Sequence, residues 1–261
     1  LYQLLMIVIG GRERLGQVWC IKNNVRPDMP QGKKPNILFI TTDQHQGACF
    51  GFEGRGVKTP VLDELARSGT RFSACITPNV VCQPARAAIL TGLLPLTNGV
   101  RDNGYDLDVA TGEKGLAGSL ATSGYETAFI GKAHFSTVLT FRPTGRAECL
   151  HSSADFDADW SGPYMGFERV ELMQFGHNWF DPDKPPYGLH YENWFHADGC
   201  GDEKTNAYFA DYWTAGGLAP QTWKSNLPLE WHNTTWVADR TIDFIEGEHQ
   251  GPWFLWSSFP D

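Results

Sequence analysis

The chain has 261 residues, 41% of them hydrophobic, 13% aromatic and 20% charged, a globular composition with material for one sizeable core or a core plus a small second lobe. Its formal net charge of -9 argues against a nucleic-acid partner, whose phosphates call for clustered Lys and Arg, while leaving room for a small anion held by a few local cations. No stretch reaches the roughly 20 apolar residues that span a bilayer, so no membrane partner is expected.

The first eleven residues, LYQLLMIVIGG, are apolar but lack a basic leading region and an obvious cleavage site. They read as something other than a secretory signal, which points to the cytoplasm over export. Residues 1–32 are set aside as an N-terminal extension, with Met29 standing just before the first convincing element. Residues 1–28 are expected to be dispensable. Cys20, Cys49, Cys75, Cys82, Cys149 and Cys200 lie far apart with no CxxC pair, so neither a disulfide scaffold nor a zinc knuckle is expected.

Residues 36–41 (NILFIT) are an almost continuous apolar run after Pro35, the pattern of a strand buried on both faces. Thr59 and Pro60 open a helix with Val61, Leu62, Leu65 and Ala66 on one face and Gly69 as its stop. Residues 71–76 are expected to form a second strand. A helix over 84–90 ends at Thr91-Gly92, and another over 116–121 closes at Gly124. A strand over 126–130 runs into Gly131-Lys132.

From 147 to 228, Gly, Pro, Asp and aromatics alternate without a sustained period, which predicts a long insertion of loops and short elements. Nine of the ten Trp residues lie beyond position 159. They can wall a pocket, though large aromatics more often fill a core. Regular structure resumes with a helix over 234–246 and the buried strand Trp253–Phe259. Alternating strands and helices predict an α/β fold, a largely parallel central sheet flanked by helices. Because catalytic loops follow such strands, a chain stopping at Asp261 reads as truncated at its C-terminus. Residues 33–261 are then the N-terminal part of one catalytic domain.

Three strings carry chemistry. Cys82-Gln83-Pro84-Ala85-Arg86, continuing to Thr91-Gly92, places a nucleophile at a helix start, where unpaired N–H groups and the dipole favour an oxyanion. Arg86, one turn on, can hold an anion with a fork of donors. Asp43-Gln44 falls at the C-terminal end of the first strand, where open α/β sheets place ligands. Gly131-Lys132-Ala133-His134 follows a later strand; Lys132 would neutralise developing charge and His134 would hydrogen-bond or shuttle a proton near neutral pH. Each string alone has a plainer reading: a structural thiol, an Asx turn, a solvated surface.

Together, and in this order, the strings resemble the sulfatase family, whose signature is matched at every fixed position by Cys82, Pro84, Ala85, Arg86 and Thr91-Gly92. The resemblance is close over 35–134 and looser over 234–261. It implies a sulfatase or alkaline-phosphatase-like fold and a Cys82 oxidised to formylglycine by a formylglycine-generating enzyme. It further implies a divalent metal on Asp43, Gln44 and residue 82, with Lys132 and His134 touching the sulfate or the nucleophile and Asn103 facing the substrate. Gln44 departs from the usual second carboxylate, as in a subgroup that includes phosphonate monoester hydrolases. Ca2+ is the expected metal, with Mg2+ or Mn2+ as alternatives.

The resemblance implies hydrolysis of small-molecule or saccharide sulfate esters. A hydroxyl of the hydrated aldehyde attacks sulfur, alcohol leaves, and the second hydroxyl loses its proton as the aldehyde reforms and expels sulfate. The family's remaining metal ligands and catalytic residues would lie beyond residue 261. Asp43, Gln44 and the diol alone leave a calcium ion short of oxygens, so the chain by itself is expected to bind metal weakly and to turn over little. The alternatives are a phosphonate or phosphate ester hydrolase of the same superfamily and a catalytically silent relative that binds a sulfated ligand. Asn233-Thr234-Thr235 also fits a glycosylation sequon.

Overall fold

The computed structural model describes residues 3–9, 34–43, 45–174, 184–210 and 227–260, the first of these segments by its backbone alone. Met29 and Gln44 lie outside the described residues. In chain order the elements are β1 (Gln3–Ile9), β2 (Asn36–Thr42), α1 (Pro60–Ser68), α2 (Cys82–Thr91), α3 (Pro95–Asn98), α4 (Val109–Glu113), α5 (Leu116–Thr122), β3 (Glu126–Lys132), α6 (Leu150–Ser153), β4 (Arg169–Met173), α7 (Leu189–His196), α8 (Gly201–Phe209), α9 (Asn233–Glu246) and β5 (Trp253–Phe259).

The strands form one sheet in the order β1-β2-β5-β3-β4. Strands β2, β5, β3 and β4 run parallel, while β1 pairs antiparallel along β2 from Gln3 opposite Thr42 to Ile9 opposite Asn36. The α/β class and largely parallel sheet expected from the sequence are what the chain forms. Part of the segment set aside as an extension is itself an edge strand of this sheet.

The two-residue period of a strand sends alternate side chains to opposite faces, and both faces here are covered. Phe39, Trp256 and Phe129 stand in register across β2, β5 and β3, with ring centroids 5.0 Å and 5.3 Å from the central indole. They pack with Ala87 and Leu90 of α2, Ala117 of α5, and Phe135 and Phe167. Leu38, Leu255 and Ala128, also in register, face the other way against Tyr191 and Phe195 of α7 and Trp236, Val237 and Phe244 of α9. The result is a helix–sheet–helix sandwich, which is why these strands read as continuous apolar runs.

Helix α2 is buried from Gln83 through Ala88 and again at Leu90. Its three alanines are buried, and Gly92, with φ 69, ends it in the left-handed region while its N–H reaches Ala88 O at 2.8 Å. Helix α1, by contrast, buries none of its residues. Thr59 stands at the N-cap position of α1 but makes no capping bond; its hydroxyl accepts from Gly51 N at 2.8 Å and donates to Asp63 Oδ1 at 2.7 Å.

One expectation is corrected. Residues 71–76 form no strand: Phe72 and Ile76 are 78% and 87% exposed, so the apolar run finds no strand to pair with. Among its described residues the segment 147–228 holds the short elements α6, α7 and α8 and the sheet's fourth parallel strand, β4. Its described Trp residues pack inward: Trp160 against Phe156 and His190, and Trp194 against Tyr191 and Trp236. Asn233 of the sequon is 5% exposed, which closes it to a glycan in the folded chain. Among the described residues no helix is long and apolar enough to cross a membrane.

Candidate active site

The C-terminal ends of parallel strands share one edge, and a helix start aimed at that edge completes a site. Here β2 delivers Asp43, held by its N–H on Phe259 O at 3.1 Å. Strand β3 ends at Lys132, β5 contributes Ser258, and α2 begins at Cys82. Cys82 Sγ lies 4.0 Å from Asp43 Oδ2. Arg86 Nη2 reaches Asp43 Oδ1 at 3.2 Å, and the ammonium of Lys132 bonds Oδ2. The structure thus gathers Asp43, Cys82, Arg86 and Lys132 around one carboxylate.

Arg86 is 1% exposed, and a guanidinium in that position needs partners on every side. Beyond Asp43, its Nη1 donates to Ser258 Oγ at 2.8 Å and to the Lys132 carbonyl. Ser258 Oγ in turn bonds Lys132 O at 2.7 Å, and Thr41 Oγ1 lies 3.2 Å from Ser258 Oγ while accepting from Trp256 Nε1 at 2.9 Å. Gly131 makes this closeness feasible. Its φ is 106, and a Cβ there would meet Ser258 O at 2.0 Å, so only glycine lets β3 approach β5 at this point.

His134 follows in the left-handed region, φ 51, with Nδ1 buried and unpartnered among the described residues. Burial, then the fields of Lys132 and Arg86, hold its pKa down to about 3 from the usual 6.5, with Asp43 pulling weakly the other way. Burial and the two neighbouring cations thus both favour the neutral ring.

Asn103 joins the site differently from expectation. Its Oδ1 accepts the Gln83 N–H at 3.1 Å, closing one of the first donors of α2, and this fixes the amide orientation so that Nδ2 is left to donate. Gln83 and Ser258 were not singled out from sequence. Gln83 is fully buried and ties α2 to the neighbouring loops: Nε2 donates to Tyr105 O at 2.7 Å and Oε1 accepts from Gly104 N at 2.9 Å. Its signal is hidden in a motif position open to any residue. Ser257-Ser258, polar in an otherwise apolar buried strand, was a visible signal.

Asp43 fits one edge of a hard-cation site, being a carboxylate with 9% side-chain exposure beside the Cys82 thiol. A cation there would compete with Lys132 for Oδ2. Among the described residues no group of three or more His, Cys, Asp or Glu is placed to hold a metal ion. Further oxygens must therefore complete the six to eight that calcium takes.

A sequence profile of the family described as Sulfatase matches residues 35–156. The chain is 38% identical over 239 residues to an arylsulfatase of Clostridium perfringens, covering 87% of this chain and 43% of the relative. It is 39% identical over 113 residues to an N-acetylglucosamine-6-O-sulfatase of Bacteroides thetaiotaomicron, covering 41% of this chain and 19% of the relative. Its fold is similar to that of a phosphonate monoester hydrolase of Agrobacterium radiobacter, with TM-score 0.59 and 23% identity over 87% of this chain and 41% of that one. The chain spans less than half the length of each of these relatives.

Proposed function

We propose that the chain belongs to the sulfatase family, whose profile matches residues 35–156, and that it hydrolyses sulfate esters, with Cys82, oxidised to formylglycine, as the nucleophile. The observation that carries this reading is the convergence of Cys82, Arg86 and Lys132 on Asp43, with Cys82 Sγ 4.0 Å and Arg86 Nη2 3.2 Å from its two oxygens. A thiol has no use for such a setting as a structural residue. A nucleophile attacking an anionic ester does, because two cations beside it offset the charge of both.

Each residue has a role in that chemistry. Asp43 would hold the divalent metal, with Gln44 and residue 82 as further ligands and Ca2+, Mg2+ or Mn2+ as the candidates; when bound, the metal supplies Lewis acidity toward the nucleophile and the ester oxygen. Hydrated formylglycine supplies a hydroxyl nucleophile on a carbon that can release sulfate again. Arg86, fixed by Ser258 and the Lys132 carbonyl, orients residue 82 and Asp43. Lys132 neutralises charge on the transferred group. His134, its pKa lowered by burial, would hydrogen-bond the transferred group or shuttle a proton, and Asn103 Nδ2 would donate to an ester oxygen.

The substrate class is a small-molecule or saccharide sulfate ester, and the activating partner is a formylglycine-generating enzyme. Matched nitrophenyl sulfate, phosphate and phosphonate esters test the choice of ester once the protein has been co-expressed with that enzyme. The sulfate is expected to show the highest kcat/KM. A tenfold preference for either phosphorus ester, about 1.4 kcal/mol at the transition state, would overturn it.

A further inference from the structure

Beneath His134 lies a buried carboxylate that no step above uses. Glu148 is 1% exposed and lies in the segment that connects β3 to β4, just before α6. Its Oε1 accepts from Phe135 N at 3.0 Å, Ser136 N at 3.2 Å and Tyr164 Oη at 2.7 Å, and its Oε2 lies 3.2 Å from Phe135 N. Among the described residues no Lys, Arg or His forms an ion pair with Glu148; the nearby Arg146 is engaged by Asp106 at 3.3 Å.

We propose that Glu148 is a positioning residue for His134: its carboxylate gathers the N–H groups of Phe135 and Ser136, the two residues that follow His134, and so holds His134 in the left-handed conformation that sets its ring beside Lys132 and Arg86. Consecutive backbone amides around a left-handed residue form a concave anion site, and here the anion is built into the chain. A histidine at φ 51 is strained unless its surroundings determine it. Two successive backbone amides and the Tyr164 hydroxyl, all drawn to one carboxylate, supply that determination. The far side of the same peptide is fixed as well, since Phe135 O accepts from Leu107 N at 2.9 Å and from Gln83 Nε2 at 3.5 Å. A buried carboxylate without a cation is costly, and burial accordingly pushes its pKa up to about 7 despite its donors. Its presence is explained by what it holds in place.

The inference rests on His134 being a site residue, and its test is independent of turnover. NMR of the whole chain, as wild type, Glu148→Gln and Glu148→Asp, reads amide exchange at Phe135 and Ser136 and the ring nitrogens of His134. His190 is the internal reference, a second buried histidine held by Leu172 N at 3.0 Å and Trp160 O at 2.8 Å. In wild type both amides should exchange at least about 100-fold slower than an unstructured chain. Glu148→Gln should speed them by about tenfold or more and shift the His134 ring signals while those of His190 stay put; Glu148→Asp should fall between. Unprotected wild-type amides, an unmoved His134, or His134 and His190 shifting together would overturn the inference. Should Glu148→Gln fail to fold, wild type and Glu148→Asp decide it by the same readouts. Failure of the sulfatase reading would appear at Cys82 and leave this result standing.

Discussion

Arg86 and Asp43 form a buried ion pair, Nη2 to Oδ1 at 3.2 Å, with the arginine side chain 1% exposed and the aspartate 9%. Removing one partner of such a pair leaves the other charge uncompensated, so Arg86→Met is expected to cost about 3–5 kcal/mol of folding stability. Arg86→Lys should recover little, because an ammonium cannot reach Asp43, Ser258 and the Lys132 carbonyl together. Urea denaturation measures both; a loss below about 1 kcal/mol, the value of a surface pair, would contradict the buried geometry.

Trp256 is fully buried and sits between Phe39 and Phe129. Trp256→Ala should cost about 3–5 kcal/mol, enough to unfold many domains of ordinary stability. Trp256→Phe should cost clearly less, because it keeps a six-membered ring against its aromatic neighbours and loses the rest of the indole and its bond to Thr41. Equal losses for the two variants in thermal denaturation would show that the indole bond, and not the aromatic packing, is what matters.

Strands β2, β3 and β5 were legible because burial on both faces leaves an unbroken apolar run, and helices α1, α2, α5 and α9 because their starts and stops are marked by Pro, Gly or a polar cap. Strand β4 was not. Its five residues, RVELM, alternate too briefly to stand out, and their partner is β3 rather than a neighbour in sequence. Residues 71–76 failed in the opposite sense: β-prone side chains predicted a strand, but pairing is a tertiary event and none is available there.

At the site, Cys82, Arg86, Lys132 and Asp43 stand out by motif and strand end. Ser258, Gln83 and Glu148 act only through contacts that the fold creates, as when Arg86 meets Ser258 across 172 positions. The lowered pKa of His134 was equally hidden, since it follows from burial.

Two groups give the stability a legible pH dependence. Glu148 is raised from 4.5 to about 7 by burial. The folded chain thus binds this proton more tightly than the unfolded one, and the residue's contribution is full below pH 4.5 and lost as pH rises to about 7. His134 is lowered from 6.5 to about 3, so its contribution is full above pH 6.5 and lost as pH falls toward 3; His190, also lowered by burial, acts in the same sense. Melting temperatures in EDTA should show the stability of wild type relative to Glu148→Gln falling as pH rises from 4.5 to 7. His134→Gln should flatten the acid limb between pH 3 and 6.5. A pH-independent difference for either variant would contradict the burial of that group.

Lys132 bonds Asp43 Oδ2, so a cation bound at that oxygen would compete with it. Calorimetric titration with Ca2+, Mg2+ and Mn2+ should therefore show weak binding to wild type and at least about tenfold weaker binding to Asp43→Asn, which loses the ligand charge. Lys132→Met should bind the cation more tightly than wild type, because a competing ammonium is gone. Unchanged affinity in Asp43→Asn would remove Asp43 from the metal site.

The central claim, that Cys82 is a converted nucleophile, is tested most directly by peptide mass mapping after co-expression with a formylglycine-generating enzyme. A thiol-linked sulfate has no built-in route of release, whereas a hydrated aldehyde does, and Pro84 and Arg86 stand where an activating enzyme reads the motif. The account expects residue 82 to carry the mass of an aldehyde in place of CH2–SH, to react with hydrazide probes, and to lose turnover on Cys82→Ala with little change in melting temperature, since one sulfur is removed from a half-exposed position. A preparation in which mapping finds only unmodified Cys82, yet which hydrolyses sulfate esters at full rate, would contradict it.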